Sequence, residues 1–131
     1  MDARDFIKVG MSAERLLTVT PELTVQNFVP GMPAVFGTPL MIMEMEITSG
    51  DAISAHLPQG FVTVGTVVDI RHLAATPVGR VVRTTAQVTG VERRAIWFEV
   101  EAFDGERKIG DGRHARGMVN LAEFTKRFGV V

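Results

Sequence analysis

Residues 38–47 decide the fold, and they read Thr-Pro-Leu-Met-Ile-Met-Glu-Met-Glu-Ile. Threonine suits a helix N-cap and proline suits the first helical position, so Thr38 and Pro39 predict a helix start. The helix is expected to run to about His56 and to end before Pro58-Gln59-Gly60. Because apolar side chains lie on nearly all its sides, we expect the helix to be buried on most of them.

Strand patterns flank this helix in the sequence. Residues 14–20 predict a first strand, and residues 24–28 predict a short extended piece before a Pro-Gly-rich loop. After the helix, apolar residues alternate with period two over residues 61–74, 81–91, 96–103 and 108–121. Asp104-Gly105 indicates a hairpin, and Asn120 is expected to cap a short helix over residues 121–128. One long helix against one antiparallel sheet is an α+β fold.

The length, composition and net charge of the chain exclude several classes of function. A chain of 131 residues fits one domain over residues 1–131, and 46% hydrophobic with 22% charged residues is typical of a globular protein. The net charge of -1 gives no electrostatic case for nucleic acid. With no cysteine, disulfides, a thiolate nucleophile and Cys-ligated zinc are excluded. No signal peptide and no membrane-spanning run are recognisable, so we expect a cytoplasmic protein that does not enter the membrane.

Two carboxylates in the helix differ in their surroundings. At about 100° per residue, Glu44 and Glu46 point in nearly opposite directions. Glu44 shares its side with Asp51, whereas Glu46 lies among apolar residues such as Met43 and Ile53. A carboxylate on an apolar face is costly unless something compensates it, which makes Glu46 the candidate site residue. The alternative is a helix glutamate that simply meets solvent.

The first long strand after the helix carries a histidine near its end. Strict alternation places His72 on one face with the following residues: Val62, Val64, Thr66, Val68 and Ile70. Asp69 falls on the other face. His72 is therefore either a site residue or a hydrogen-bonded core histidine. His56 is expected at the helix end and His114 in solvent, and three such scattered histidines give no metal signal.

Two further positions have both a structural and a functional interpretation. The Thr38 hydroxyl can cap the helix, or it can serve a site at the helix N-terminus, where an oxyanion is favoured. Thr38 and Glu46 are eight residues apart, about 12 Å along a helix, so a substrate, a water or a second subunit must connect them. Gly65 indicates either a β-bulge or close approach of the backbone to a ligand. Most arginines of the later strands are expected in solvent, with one or two available for an anionic tail.

At these residues the sequence resembles the hotdog-fold acyl-CoA thioesterases, and among them the fluoroacetyl-CoA thioesterase family. The similar stretches are Val35-Phe36-Gly37-Thr38 leading into the helix with Glu46, Val64-Gly65-Thr66, His72-Leu73-Ala74-Ala75-Thr76-Pro77 and Ile109-Gly110-Asp111-Gly112-Arg113-His114. The resemblance covers roughly residues 14–125. Its most specific part is the joint occurrence of Thr38, Glu46 and His72.

This resemblance implies a long helix wrapped by a curved antiparallel sheet, and a homodimer, with further pairing into a tetramer left open. It also implies an active site at the dimer interface that takes an acyl-CoA substrate without a cofactor or metal. Thr38, Glu46 and His72 would be the catalytic group, and the substrate-binding residues would be Gly65 at the thioester, Phe36 and Val35. The loop at residues 28–33 lacks the aromatic lid of the fluoroacetyl enzyme, which leaves the acyl specificity open.

The expected function is hydrolysis of a small or medium acyl-CoA thioester. Glu46 would act as nucleophile or as general base on water, and the sequence does not choose between them. One alternative is a non-catalytic hotdog protein that binds acyl thioesters or small apolar ligands. The other is a hotdog enoyl-thioester hydratase, which is disfavoured because alternation puts Asp69 and His72 on opposite strand faces.

Overall fold

A computed structural model describes residues 1–130. The main elements are β1 (Ser12–Thr18), α1 (Val25–Phe28), α2 (Thr38–Ile53), β2 (Phe61–His72), β3 (Val81–Val91), β4 (Ala95–Asp104), β5 (Arg107–Asn120) and α3 (Leu121–Phe128). The strands form one antiparallel sheet in the order β1-β3-β4-β5-β2, so β2 is an edge strand. This confirms the α+β prediction. No helix among the described residues is both long and apolar enough to cross a membrane.

The core lies between α2 and one face of the sheet. Met41, Met45 and Ile53 of the helix are fully buried, and so is Phe98 of β4. Their spacing follows the helical period, which places them on the side that faces the sheet. On the other side Met43 is 53% exposed and Ile47 is 38% exposed. The prediction that the helix is buried on most sides is therefore wrong for a single chain, because the sheet covers only one side.

Two local predictions are also wrong. Residues 24–28 are not extended, because Val25–Phe28 forms the one-turn helix α1 after a 3-10 turn that begins at Pro21. Thr38 is not the N-cap, because Gly37 takes that position with an extended backbone and Thr38 is the first helical residue. The helix ends at Ile53 and continues as a 3-10 turn to His56. The Thr38 hydroxyl is thereby free for another partner.

A β-bulge interrupts β2 beside β5. The pairing register shifts between Gly65 and Val67, which leaves one extra residue in β2. Gly65 pairs with Arg116, and Val68 pairs with His114. Arg116 and His114 are two residues apart in β5 and so share a face, which puts Gly65 and Val68 on that same face. The structural interpretation of Gly65 as a bulge position is confirmed.

The bulge divides the apolar row that strict alternation predicts for β2. His114 pairs with the buried Phe98 on its other side, so this face of β5 looks into the core. His72 lies on the core side, as predicted, because it follows the bulge in phase with Val68. Val62 and Val64 precede the bulge and fall on the opposite face. A single extra residue reverses the phase of a period-two pattern, which is why the predicted row fails.

Candidate active site

The first pair of predicted site residues meets where α2 begins and β2 ends. Thr38 Oγ1 lies 2.7 Å from Nδ1 of His72. The chain before α2 is held against the chain after β2, because the Phe36 N–H donates to the Thr76 carbonyl at 2.8 Å. A proline at the second helical position also helps to fix the start of the helix. A backbone hydrogen bond between the two segments therefore brings the hydroxyl and the imidazole together.

The other ring nitrogen of His72 is unpaired within residues 1–130. His72 Nε2 is shielded from solvent and has no hydrogen-bond partner among these residues. Burial lowers the pKa of His72, and a backbone contact with Ala74 acts in the opposite direction. This shift of the pKa favours the neutral form of the ring. A buried polar atom of this kind calls for a ligand or another chain to pair with it.

A cleft of about 490 Å³ opens beside this pair. Val35, Phe36, Thr38 and His72 are among its lining residues. Val35 is half-buried, so its side chain reaches the surface of the cleft. Phe36 is only 1% exposed, so it forms the wall from the core side. The cleft is mostly apolar around one hydroxyl and one imidazole, which suits an apolar group carrying a polar reactive centre.

The second pair of predicted site residues is Glu46 and Gly65. A Cβ atom built on Gly65 would lie 2.5 Å from Oε1 of Glu46, so the carboxylate rests directly against the glycine backbone. Glu46 is half-buried and lines a second cleft, of about 640 Å³, together with Gly65, Met43 and Ile47. Besides forming the bulge, Gly65 leaves room for the Glu46 carboxylate.

Arg116 and His114 also lie at this second pair, and sequence reasoning missed both. Arg116 lines the Glu46 cleft and donates from Nε to Thr63 Oγ1 at 2.9 Å. His114 is 1% exposed, so the prediction that it is solvated is wrong. The only hint in the sequence of this strand is Gly110, because a glycine inside a strand can mark close approach of another element, and a Cβ there would lie 2.6 Å from Sδ of the buried Met41. Because Gly110 and His114 share a strand face, that face had to be the inner one.

The other helix carboxylate has a structural role. Glu44 is 7% exposed, and its Oε2 accepts from Nε of Arg15 at 3.0 Å. Arg15 lies on β1, so this ion pair ties the sheet edge to the helix. The Asp51 Oδ2 atom accepts a second hydrogen bond, from Nη1 of Arg15 at 3.3 Å. Helical phase therefore separated the two glutamates correctly, with Glu44 as the one that has polar company.

The two pairs lie in separate clefts of one chain. The Thr38–His72 cleft and the Glu46–Gly65 cleft have no lining residue in common. Thr38 and Glu46 belong to the same helix, about 12 Å apart along its axis. A hydrogen-bonding acid or electrophile thus stands at one end of the helix, and a carboxylate stands in its middle. Neither cleft alone contains both the carboxylate and the imidazole.

Comparison with solved structures gives the class of protein. Crystal structures of the fluoroacetyl-CoA thioesterase FlK superpose with a TM-score of 0.88 at 32% identity, covering 94% of this chain and 96% of that one. A thioesterase superfamily member from Thermus thermophilus superposes with a TM-score of 0.86 at 31% identity, covering 94% and 91%. The molecule has the hotdog fold of these thioesterases.

Comparison of sequences gives the family. The model of the FlK family, described as fluoroacetyl-CoA-specific thioesterase, matches residues 19–122. The fluoroacetyl-CoA thioesterase of Streptantibioticus cattleyicolor is 33% identical over 130 residues, covering 95% of this chain and 94% of the relative. The chain therefore belongs to this family and is a thioesterase, which confirms the resemblance noted from its motifs.

Proposed function

We propose that this protein hydrolyses small or medium acyl-CoA thioesters to the free acid and CoA, at a site completed by a second copy of the chain. The observation that carries the proposal is the split arrangement of the predicted catalytic residues. Thr38 and His72 are bonded at 2.7 Å with Nε2 unpartnered among residues 1–130, while Glu46 rests against Gly65 elsewhere. The substrate class follows from the family, whose named member acts on fluoroacetyl-CoA.

The carboxylate supplies the attack on the thioester carbonyl. Glu46 either adds to the carbonyl carbon and forms an anhydride that water then hydrolyses, or it takes a proton from an attacking water. In both routes the carbon–sulfur bond breaks and the electron pair leaves on the CoA sulfur. Met43 and Ile47 beside the half-buried Glu46 are exposed in a single chain, and a second copy that covered them would keep bulk water away from the reacting atoms. The Gly65 N–H or the N-terminus of α2 would hold the oxyanion.

The imidazole supplies a hydrogen bond that stabilises the leaving thiolate. A Thr38 hydroxyl that donates to Nδ1 of His72 leaves the ring proton on Nε2, the atom with no partner within residues 1–130. That Nε2–H can then donate a hydrogen bond to the thioester and to the CoA sulfur as it departs as a thiolate, while the neutral ring keeps its proton. Because burial lowers the pKa of His72, the ring does not carry a permanent charge between turnovers.

A homodimer would bring the two pairs together. The edge strand β2 exposes Val67 (37%) and Val68 (47%), and α2 exposes Met43 (53%) beside them. An exposed apolar edge strand is a template for pairing with another strand. If β2 pairs with β2 of a second copy, Thr38 and His72 of one chain approach Glu46 and Gly65 of the other. Further pairing into a tetramer and a cytoplasmic location remain predictions from the sequence.

The pocket for the acyl group would lie beside Thr38 and His72. Val35 contributes a half-buried edge of the cleft and Phe36 its rear wall. Met32 also lines this cleft and is 42% exposed, so an apolar side chain borders the cleft at the surface. An open apolar entrance accommodates acyl chains longer than two carbons. We therefore expect turnover of several short and medium acyl groups.

The test is a panel of acyl-CoA substrates, from acetyl and fluoroacetyl to octanoyl, with thiol release as the readout. The chain contains no cysteine, so a thiol reagent reports only the CoA that is released. Glu46→Gln and His72→Ala should each lose activity, while the exposed controls Glu106→Gln and His56→Ala should keep it. Intact activity in both site variants would contradict the proposal. Ligand-induced stabilisation without thiol release would instead identify a binding protein.

A further inference from the structure

We propose that His114, buried behind the Glu46 cleft, is a positioning residue whose Nε2 lone pair holds the Arg116 guanidinium beside Glu46. The inference rests on the proposed thioesterase function, to which it adds a residue outside the predicted catalytic group. His114 does not reach the cleft itself, since only 1% of it is exposed and it does not line the cleft. It would act through the groups that it contacts.

The contacts of His114 fix its tautomer. Nδ1 lies 2.8 Å from the Val67 carbonyl, which can only accept, so Nδ1 carries the proton. Nε2 lies 3.1 Å from Nη1 of Arg116, which can only donate, so Nε2 must offer a lone pair. A neutral ring satisfies both contacts at once. Burial lowers the pKa of His114, in keeping with a neutral ring, while Val67 raises it, Arg116 lowers it and Glu46 raises it.

The two hydrogen bonds of His114 lead to two groups near Glu46, which are the β2 bulge and the Arg116 guanidinium. Val67 follows the bulge in β2, where the regular pairing of strands is interrupted. There the Val67 carbonyl accepts a hydrogen bond from Nδ1 of His114. The ring also packs beneath Gly65, since a Cβ on that glycine would lie 3.3 Å from Cε1 of His114. The ring therefore supports the backbone against which Glu46 rests.

The second group held by His114 is the Arg116 guanidinium. Its Nε donates to Thr63 Oγ1 at 2.9 Å, and Nη2 donates to the Thr63 carbonyl at 2.8 Å. His114 supplies the third anchor, so three of the five N–H groups are engaged within the protein. The guanidinium is half-buried, and burial lowers the pKa of Arg116, an effect that the Glu46 charge partly offsets. A charge held this firmly near a carboxylate forms part of a preorganised site.

A matched pair of amide substitutions separates the two contacts of the ring. In His114→Gln the side-chain amide reaches the position of Nε2 and can accept from Arg116. In His114→Asn the amide reaches only the position of Nδ1 and can pair with Val67 alone. Both variants keep a polar side chain of similar shape, so a merely structural histidine would give the same result in each.

The expected result is a loss in kcat of about tenfold or more for His114→Asn, the scale of a lost hydrogen bond to a charged group, with KM for acetyl-CoA little changed. His114→Gln should remain within about threefold of the wild type in kcat, because its amide oxygen still accepts from Arg116. Equal kcat values in the two variants, or a greater loss in His114→Gln, would overturn the proposal. Absence of thioesterase activity in the wild type would contradict the proposed function itself and is thereby distinguished.

A measurement on the unaltered His114 covers the case in which these variants do not fold. The chain has three histidines, so 15N-histidine spectra can be assigned by elimination with His56→Ala and His72→Ala. At neutral pH the His114 ring should carry its proton on Nδ1, with Nε2 unprotonated. A ring with the proton on Nε2, or a doubly protonated ring, would overturn the assignment.

Discussion

Substitution of Gly65 by alanine should move the Glu46 carboxylate while it changes the stability of the fold only slightly. The new Cβ would lie 2.5 Å from Oε1 of Glu46, whereas comfortable contacts begin at about 3.5 Å. The carboxylate must therefore move by about 1 Å, and its flexible side chain allows this movement at little cost. A 1 Å misplacement at a reacting centre can lower the rate about 100-fold.

The stability of Gly65→Ala should change much less than its activity. Gly65 does not have a positive φ angle, so alanine introduces no backbone strain there. The His114 ring, 3.3 Å from the new Cβ, must yield by a few tenths of an ångström. We expect a loss of about 1 kcal/mol in the free energy of unfolding, at the low end of what overpacking costs.

The assay compares kcat/KM by thiol release with urea unfolding for the same preparations. Gly90→Ala is the matched control, because Gly90 also lies at a strand irregularity and its Cβ would meet only the Trp97 Cβ at 3.9 Å. The control should retain its activity. If Gly65→Ala keeps wild-type kcat/KM while folding normally, the contact between Glu46 and the glycine backbone has no part in catalysis.

Three further predictions concern the same framework. Thr38→Val removes the hydroxyl bonded to His72 and should lower kcat by about tenfold or more, whereas Thr38→Ser should largely retain it; equal rates in steady-state assays would refute the role of the hydroxyl. Arg15→Met leaves Glu44 buried without its partner and should cost about 1–3 kcal/mol in urea unfolding at unchanged kcat per folded molecule; an unchanged free energy of unfolding would show that the ion pair contributes nothing. Because burial lowers the pKa of His114 in the native state, the unfolded chain binds more protons as the pH falls below about 6.5, so stability should drop there. Urea unfolding at about pH 7.5 and 5.5 should show a smaller drop for His114→Gln, and an equal drop would contradict this linkage.

The fold was predictable because its signals are local and repeated. Thr38-Pro39 marks the start of α2, period-two alternation marks four strands, and Asn120 caps α3 through its Oδ1 and the Glu123 N–H. Such patterns depend on neighbours a few residues apart. Helical phase likewise separated Glu46 from Glu44 without any tertiary information.

The parts of the site that escaped prediction depend on the register between strands. One extra residue at the Gly65 bulge reversed the phase of β2, which no alternation count along one strand reveals. His114 was assigned to solvent for a similar reason, since its neighbours do not show that β4 and β2 lie on both sides of it. The residues around Thr38 left its hydroxyl open between a helix cap and a site, because its hydrogen-bond partner, His72, is 34 residues away along the chain.

The central claim is that one site takes Glu46 from one chain and His72 from another. The direct test mixes inactive Glu46→Gln and His72→Ala proteins under conditions that exchange subunits. In a mixed dimer one site then combines two substituted residues, while the other keeps both native residues. Random reassortment should restore about a quarter of the wild-type thioesterase activity, because half of the dimers are mixed and each has one intact site. No recovery after demonstrated exchange would contradict a site shared between two copies.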